Sequence, residues 1–222
     1  YGIYSLVGGV VLLFSFLNAS MASATQRFFS FDIGRNDKVQ LNRTFNATVF
    51  IHVGIAIVTL FLAETVGLWY VENKLNIPVD RQGTLKWVYQ FSVLTFLISL
   101  IQTPLNALII ARERMNLFAL ISIVDVVLKL GALFLLQIIH EWDKLILYPL
   151  FLLIVSILTF AFSYLYCRKK FAEVRFVKFY SKEYYITLIT YSGWNLFGNI
   201  AVVSKSQGFN LMLNSFFGVL VN

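Results

Sequence analysis

Six long apolar runs dominate the chain, at 1–20, 45–70, 87–111, 117–139, 145–167 and 184–203, and a seventh starts near Phe209. Each of the six can cross a bilayer core of about 30 Å, which takes about 20 helical residues at about 1.5 Å each. Inside hydrocarbon every backbone amide needs a partner within the protein, so only helices or closed barrels span it. A barrel would show runs of about 10 residues alternating between apolar and polar, and these runs do not alternate. The pattern predicts an all-α fold: a polytopic transmembrane helix bundle crossing the bilayer about seven times.

Composition agrees. Apolar residues make up 59% of the 222 and charged residues 13%, against about 25% charged in an ordinary soluble domain. The 22 phenylalanines and the 17% aromatic content suit a surface that meets acyl chains and headgroups. The net charge of +7 would suit a nucleic-acid binder if it lay on one polar face. Here it sits in short loops between apolar runs, so the expected partner is the lipid bilayer and not nucleic acid. The one cysteine, Cys167, leaves no internal disulfide to form. No signal peptide is visible, and both ends fall inside apolar runs, as if cut from a longer protein.

Loop charge sets the orientation. Arg27, Arg35, Lys38, Arg43, Arg112, Arg114, Arg168, Lys169, Lys170, Arg175, Lys178 and Lys182 give one side twelve basic residues; Lys74, Arg81, Lys86 and Lys144 give the other four. Basic loops stay cytoplasmic, so the first side is inside and Tyr1 starts outside. The segment 171–185, which mixes aromatic and basic residues, reads either as a helix in the headgroup layer or as a plain inner loop. Residues 72–84, with Pro78 and Gly83, read as an outer turn. The glycosylation sequons at Asn18, Asn42 and Asn46 lie in or beside apolar runs or on the inner side, and are read as chance.

Charge within the runs is the main functional signal. Asp125 and Lys129 lie near the middle of 117–139, about 13 to 20 Å from its inner end. Each alone would add about 2.5 to 3.5 kcal/mol to insertion, but four residues of spacing puts them on one helical face where they can pair. They read either as the lining of a polar cavity, with Asp125 a proton or sodium site and Lys129 facing an anionic group, or as a structural ion pair. Glu64 lies about 9 Å below the outer end of its run, within reach of the interface. Gln102, Pro104 and Asn106 interrupt the third run and predict a kink by a cavity or a helix contact. Asn195, Asn199, Lys205, Gln207, Asn210 and Asn214 make the last region polar for a spanning segment, although Lys205 and Gln207 also suit an outer turn. His52 and His140 have no metal-binding companions and His52 reads as a satisfied helix-end residue; no metal, no cofactor, no P-loop and no catalytic constellation is expected.

The opening YGIYSLVGGVVLLFSFLNAS, followed by Gln26-Arg27-Phe28, resembles the second helix and first inner loop of polysaccharide-biosynthesis flippases of the Wzx type. The stretch Tyr191, Ser192, Trp194, Asn195, Gly198, then Gln207-Gly208 and Asn214 to Gly218, is similar to the start of that family's second half. The motifs are shared across the multidrug, oligosaccharidyl-lipid and polysaccharide (MOP, MATE-like) exporter superfamily. The resemblance implies two six-helix lobes. Residues 1–167 would hold the N-terminal lobe without its first helix, 168–183 the basic cytoplasmic linker, and 184–222 the truncated beginning of the C-terminal lobe.

The same resemblance implies that the protein turns a polyprenyl-diphosphate-linked oligosaccharide across the bacterial cytoplasmic membrane, for O-antigen or capsule export, by alternating access. A sugar head and a diphosphate cannot enter hydrocarbon without losing hydrogen bonds worth several kcal/mol each, and a polar cationic cavity removes that barrier. On this reading Lys129, Arg27 and Lys205 attract the diphosphate, Asn195 and Asn199 line the cavity, and Asp125 and Glu64 are candidates for coupling to H+ or Na+. Three other classes compete. A cation-coupled drug or metabolite exporter of the same superfamily would carry a more acidic or aromatic lining. A glycan-assembly enzyme needs a large catalytic loop, and the loops here are short and basic. A membrane scaffold would tolerate loss of its buried charges.

Overall fold

The computed structural model describes residues 18, 20–73, 82–139, 143–175, 181–195, 197, 198 and 201. Among them there is no strand. Helix α1 covers 20–34; α2 is Lys38–Leu62, continued by a π-helical turn, Ala63–Gly67, and a short helix α3, Leu68–Asn73. The long helices α4 (Gln82–Ala111), α5 (Met115–Ile138) and α6 (Lys144–Lys170) follow, then a 3-10 turn, Ala172–Val174, and α7 over 182–195.

Four helices are long and apolar enough to cross a membrane: Lys38–Gly67, Gly83–Ala111, Met115–Ile138 and Lys144–Lys170. These correspond to the second to fifth apolar runs. The first run lies outside the described residues except for Asn18 and Ser20, the sixth is helical over 184–195, and the stretch beginning at Phe209 lies outside them. The 24 residues of α5 reach about 36 Å at about 1.5 Å each, more than a bilayer core.

The helices are longer and the connections shorter than the apolar runs predict. Helix α2 begins at Lys38, seven residues before its run, because Asp37 caps it by accepting a hydrogen bond from the Gln40 amide at 2.9 Å. A side-chain oxygen there satisfies one of the four amides that a helix start leaves open. Between α1 and α2 only residues 35–37 are non-helical, turning at Asn36 with φ 54°, a left-handed position that asparagine tolerates. Asp143 caps α6 in the same way through the Leu145 amide at 3.0 Å. At the other end of α6, Arg168, Lys169 and Lys170 form its last turn, where cations oppose the negative end of the helix dipole. They belong to the helix and not to a loop.

Helix α4 is central: it packs on α2, on α6 and, more lightly, on α5, while α5 leans chiefly on α6. Near the basic end a core gathers Phe29, Leu41, Phe45, Leu105, Leu108, Ile121, Cys167 and Phe171; toward the other end a second joins Ala63, Val71, Leu85, Val88, Tyr89 and Val93. Around these the outward faces are apolar, with Ile57, Phe61, Ile123, Val127, Phe134 and Ile138 all exposed. Water would not tolerate so continuous an apolar surface, and acyl chains would. Where helices touch, α2 and the π turn that continues it offer a narrow stripe of Thr44, Thr48, His52, Ala56, Thr59 and Ala63, all buried. Small and hydroxyl side chains at spacings of three and four let helices approach closely, the usual solution where lipid removes the hydrophobic drive.

Candidate functional site

Helix α5 brings Asp125 and Lys129 together as their spacing predicts: the Lys129 ammonium donates to Asp125 Oδ2 at 2.7 Å. Position on the helix separates their surroundings. Ile121, Ala132 and Leu136 are the buried residues of α5. At about 100° per residue Asp125 lies about 40° round from Ile121, inside the arc that Ala132 and Leu136 occupy, and Lys129 about 80° round, at its rim. Their side chains are accordingly 28% and 48% exposed. The carboxylate is thus on the packed side and the ammonium faces outward from its edge, a pairing that lets one ion neutralise the other far from either helix end.

Glu64 sits in the π-helical turn, half-buried, and accepts a hydrogen bond from Gln90 Nε2 of α4 at 3.1 Å. A π turn shifts the hydrogen-bond ladder by one residue and leaves a carbonyl without its usual donor. In this turn the Ala63 carbonyl accepts the Leu68 amide, five residues on, and a second hydrogen bond from the Tyr89 hydroxyl of α4 at 2.7 Å. Gly67 makes room: a Cβ there would fall well inside contact with the Tyr89 hydroxyl. Apolar periodicity carries no trace of this turn, and a glycine three residues from an apolar-run carboxylate is its only sequence signal.

Arg27 of α1 stacks on the Tyr191 ring of α7, its Cζ 4.8 Å from the centroid, and donates to the Tyr191 hydroxyl. Phe28 meets the same ring edge-on at 5.4 Å, and Ser20 donates to the Ser192 carbonyl at 3.2 Å. Asn195 is half-buried in α7; Asn199 and Lys205 lie outside the described residues, as do Gln207, Asn210 and Asn214. The polar residues of α4 act mainly between helices. Gln102 donates to Ser163 of α6 at 3.4 Å, Thr103 donates to Asn18, and Pro104 is fully buried. Asn106 Oδ1 is buried with no hydrogen-bond partner among the described residues.

His52 departs from its reading as a satisfied helix-end residue. Because α2 starts early, His52 lies within the helix, fully buried, with Nδ1 2.8 Å from the Thr48 carbonyl and Nε2 without a hydrogen-bond partner among the described residues. Among the described residues no group of three His, Cys, Asp or Glu side chains could hold a metal ion.

A polar joint closes the basic end. Thr44 donates to the buried carboxylate of Asp32, and the Tyr184 hydroxyl meets Thr44 at 2.5 Å, linking α1, α2 and α7 through one chain of hydroxyls. Burial pushes the Asp32 carboxyl above its ordinary value, a shift opposed by the Thr44 hydrogen bond. Of the segment 171–185, residues 171–175 form a 3-10 turn packed against the bundle and 182–185 open α7. Phe171, Glu173 and Val174 are buried, Glu173 pairs with Arg112, and Asn42 donates to the Glu173 and Arg175 carbonyls at 2.7 and 2.9 Å. Asn46 adds a bond to the Arg175 carbonyl at 3.1 Å. Asn42 and Asn46, whose sequons carry no signal of their own, thus hold the segment after α6 against the bundle.

No family model, no curated protein and no solved structure matches the chain.

Proposed function

We propose that this chain is part of a transporter that moves a lipid-linked oligosaccharide, carried on a polyprenyl diphosphate, across the bacterial cytoplasmic membrane by alternating access. The single observation that supports it is the Asp125–Lys129 pair, 2.7 Å apart and mid-helix in a span with no other charged residue. Charge retained at that depth is rarely idle. On this reading Lys129, at the rim of the packed face, would meet an anionic headgroup, and Asp125 would hold it in position. Arg27 would serve the diphosphate from α1, with Lys205, Asn195 and Asn199 further contributors from the C-terminal region. The deciding experiment is flipping, or polysaccharide output in cells, after Lys129→Ala with membrane expression matched. Loss of output supports the reading, and unchanged output removes Lys129 from the mechanism.

A second reading, a drug or metabolite exporter of the same superfamily coupled to H+ or Na+, draws on Glu64. Its carboxylate is half-buried against a neutral partner, Gln90, at 3.1 Å, an arrangement that leaves negative charge available to a cation. Sodium- or proton-dependent efflux from vesicles, abolished by Glu64→Gln, distinguishes this reading from the first.

A further inference from the structure

Between α1, α2 and α7 runs a groove of about 570 Å³. Its length is set by α2, from Ile51 to Leu62, a rise of about 16 Å, close to the hydrocarbon half-thickness of a bilayer of about 30 Å. Ile55, Val58 and Ile189 make its walls apolar. Two glycines on α2 and α7, Gly54 and Gly193, line it and leave it open, and a Cβ added at either would meet nothing within 4 Å. Gly54 and Val58 are exposed, so the groove is open to whatever surrounds the bundle.

The groove itself has no charged residue in its lining, but a cation lies close by. Ser20 and Ser192, bonded to each other, line the groove, and Tyr191, adjacent to Ser192, carries the Arg27 guanidinium on its ring. A guanidinium has five N–H donors; Arg27 is exposed, and among the described residues no carboxylate pairs with it. Tyr191 fixes the plane of the guanidinium and takes one hydrogen bond, leaving a fork suited to phosphate oxygens. Arg27 follows Ser20 by two helical turns toward the basic end of the bundle, so the charge and the apolar length lie in the order headgroup, then chain.

From this order we infer that the groove holds one hydrocarbon chain of an anionic glycerophospholipid of the surrounding bilayer, with its headgroup phosphate on Arg27. The length, which matches one leaflet, and the lateral opening favour a bilayer lipid over a longer isoprenoid chain. The inference goes beyond the transport reading, because a resident lipid requires no transport.

The test uses the chain in nanodiscs containing phosphatidylglycerol with a diazirine near the end of one acyl chain, or phosphatidylcholine with the same chain. Adducts are mapped by mass spectrometry. Adducts should concentrate on Val58 and Leu62, with phosphatidylglycerol favoured over phosphatidylcholine. Arg27→Gln should reduce that preference by about tenfold, as expected for a lost charge-assisted hydrogen bond. Gly54→Phe, and independently Gly193→Leu, should lower groove labelling several-fold while adducts on the outer face of α5 stay constant. Equal labelling by the two lipids, indifference to both groove-filling variants, or labelling confined to a diazirine-bearing polyprenyl phosphate would each overturn the inference.

Discussion

The Tyr89 hydroxyl donates to the Ala63 carbonyl at 2.7 Å across the α2–α4 contact, sharing that oxygen with the Leu68 amide and tying the π-helical turn to α4. Tyr89→Phe removes one of the two hydrogen bonds on a buried carbonyl and should cost about 0.5 to 1.5 kcal/mol, read as a lower melting temperature in detergent. Gly67→Ala drives a methyl group into the same hydroxyl and should cost about 1 to 3 kcal/mol. The double variant Gly67→Ala/Tyr89→Phe should cost less than the sum, since the clash and the bond share one oxygen.

The ion pair of α5 predicts an asymmetric mutational pattern. Asp125→Ala or Lys129→Ala strands one charge inside the span and should reduce membrane-inserted protein, each by an amount equivalent to about 2.5 to 3.5 kcal/mol at most. Removing both charges as Asp125→Asn/Lys129→Gln should restore insertion while still abolishing output. Quantitative immunoblots of the membrane fraction, read beside polysaccharide export, separate these effects.

At the basic end, Glu173 is almost fully buried beside Arg112, with side-chain exposures of 6% and 28%. Breaking a buried pair costs about 3 to 5 kcal/mol, and the partial exposure of Arg112 reduces this to about 1 to 3 kcal/mol for Glu173→Ala. The same variant should expose the 171–175 segment to trypsin at Arg175, and the loss of protection should be visible as a faster cleavage band.

Asp32 gives the basic end a pH dependence of definite sign. Its carboxyl is shifted upward by burial, so the folded protein holds this proton more tightly than the unfolded chain does. Stability from this group is fully present below the unfolded aspartate value of about 3.9 and is lost as pH rises through the higher folded value. Asp32→Asn keeps an acceptor for Thr44 and removes the titration. It should flatten the dependence of melting temperature on pH above about 4 and leave the variant at least as stable as the wild type at neutral pH.

Much of the architecture is legible in the sequence because hydrocarbon imposes one rule on every residue of a span. The runs at 45–70, 87–111, 117–139 and 145–167 each correspond to a helix long enough to cross, and the spacing of Asp125 and Lys129 corresponds to a bond. What escapes is set by contacts between distant segments. Helix α2 starts at Lys38 because of one capping carboxylate, which moves His52 from a helix end to a buried interior. The π turn at Ala63–Gly67 is fastened to α4 by Tyr89, 26 residues on from Ala63, and Gly67 leaves room for that hydroxyl. Asn42 and Asn46 bond to carbonyls about 130 residues away, and Arg27 finds Tyr191 across 164. Periodicity reports which face of a helix is apolar, and it does not report which helix will meet that face.

The most direct measurement is the sidedness of the two ends of α5. Arg114 and Lys144 are exposed at either side of this span, and Cys167 is fully buried, so single cysteines can be placed at each position with Cys167 replaced by alanine. A membrane-impermeant maleimide should label Lys144→Cys in intact spheroplasts and label Arg114→Cys only in inside-out vesicles. Labelling of both from the same side, or recovery of the chain as a soluble protein, would contradict a bundle that crosses the bilayer with its basic end in the cytoplasm.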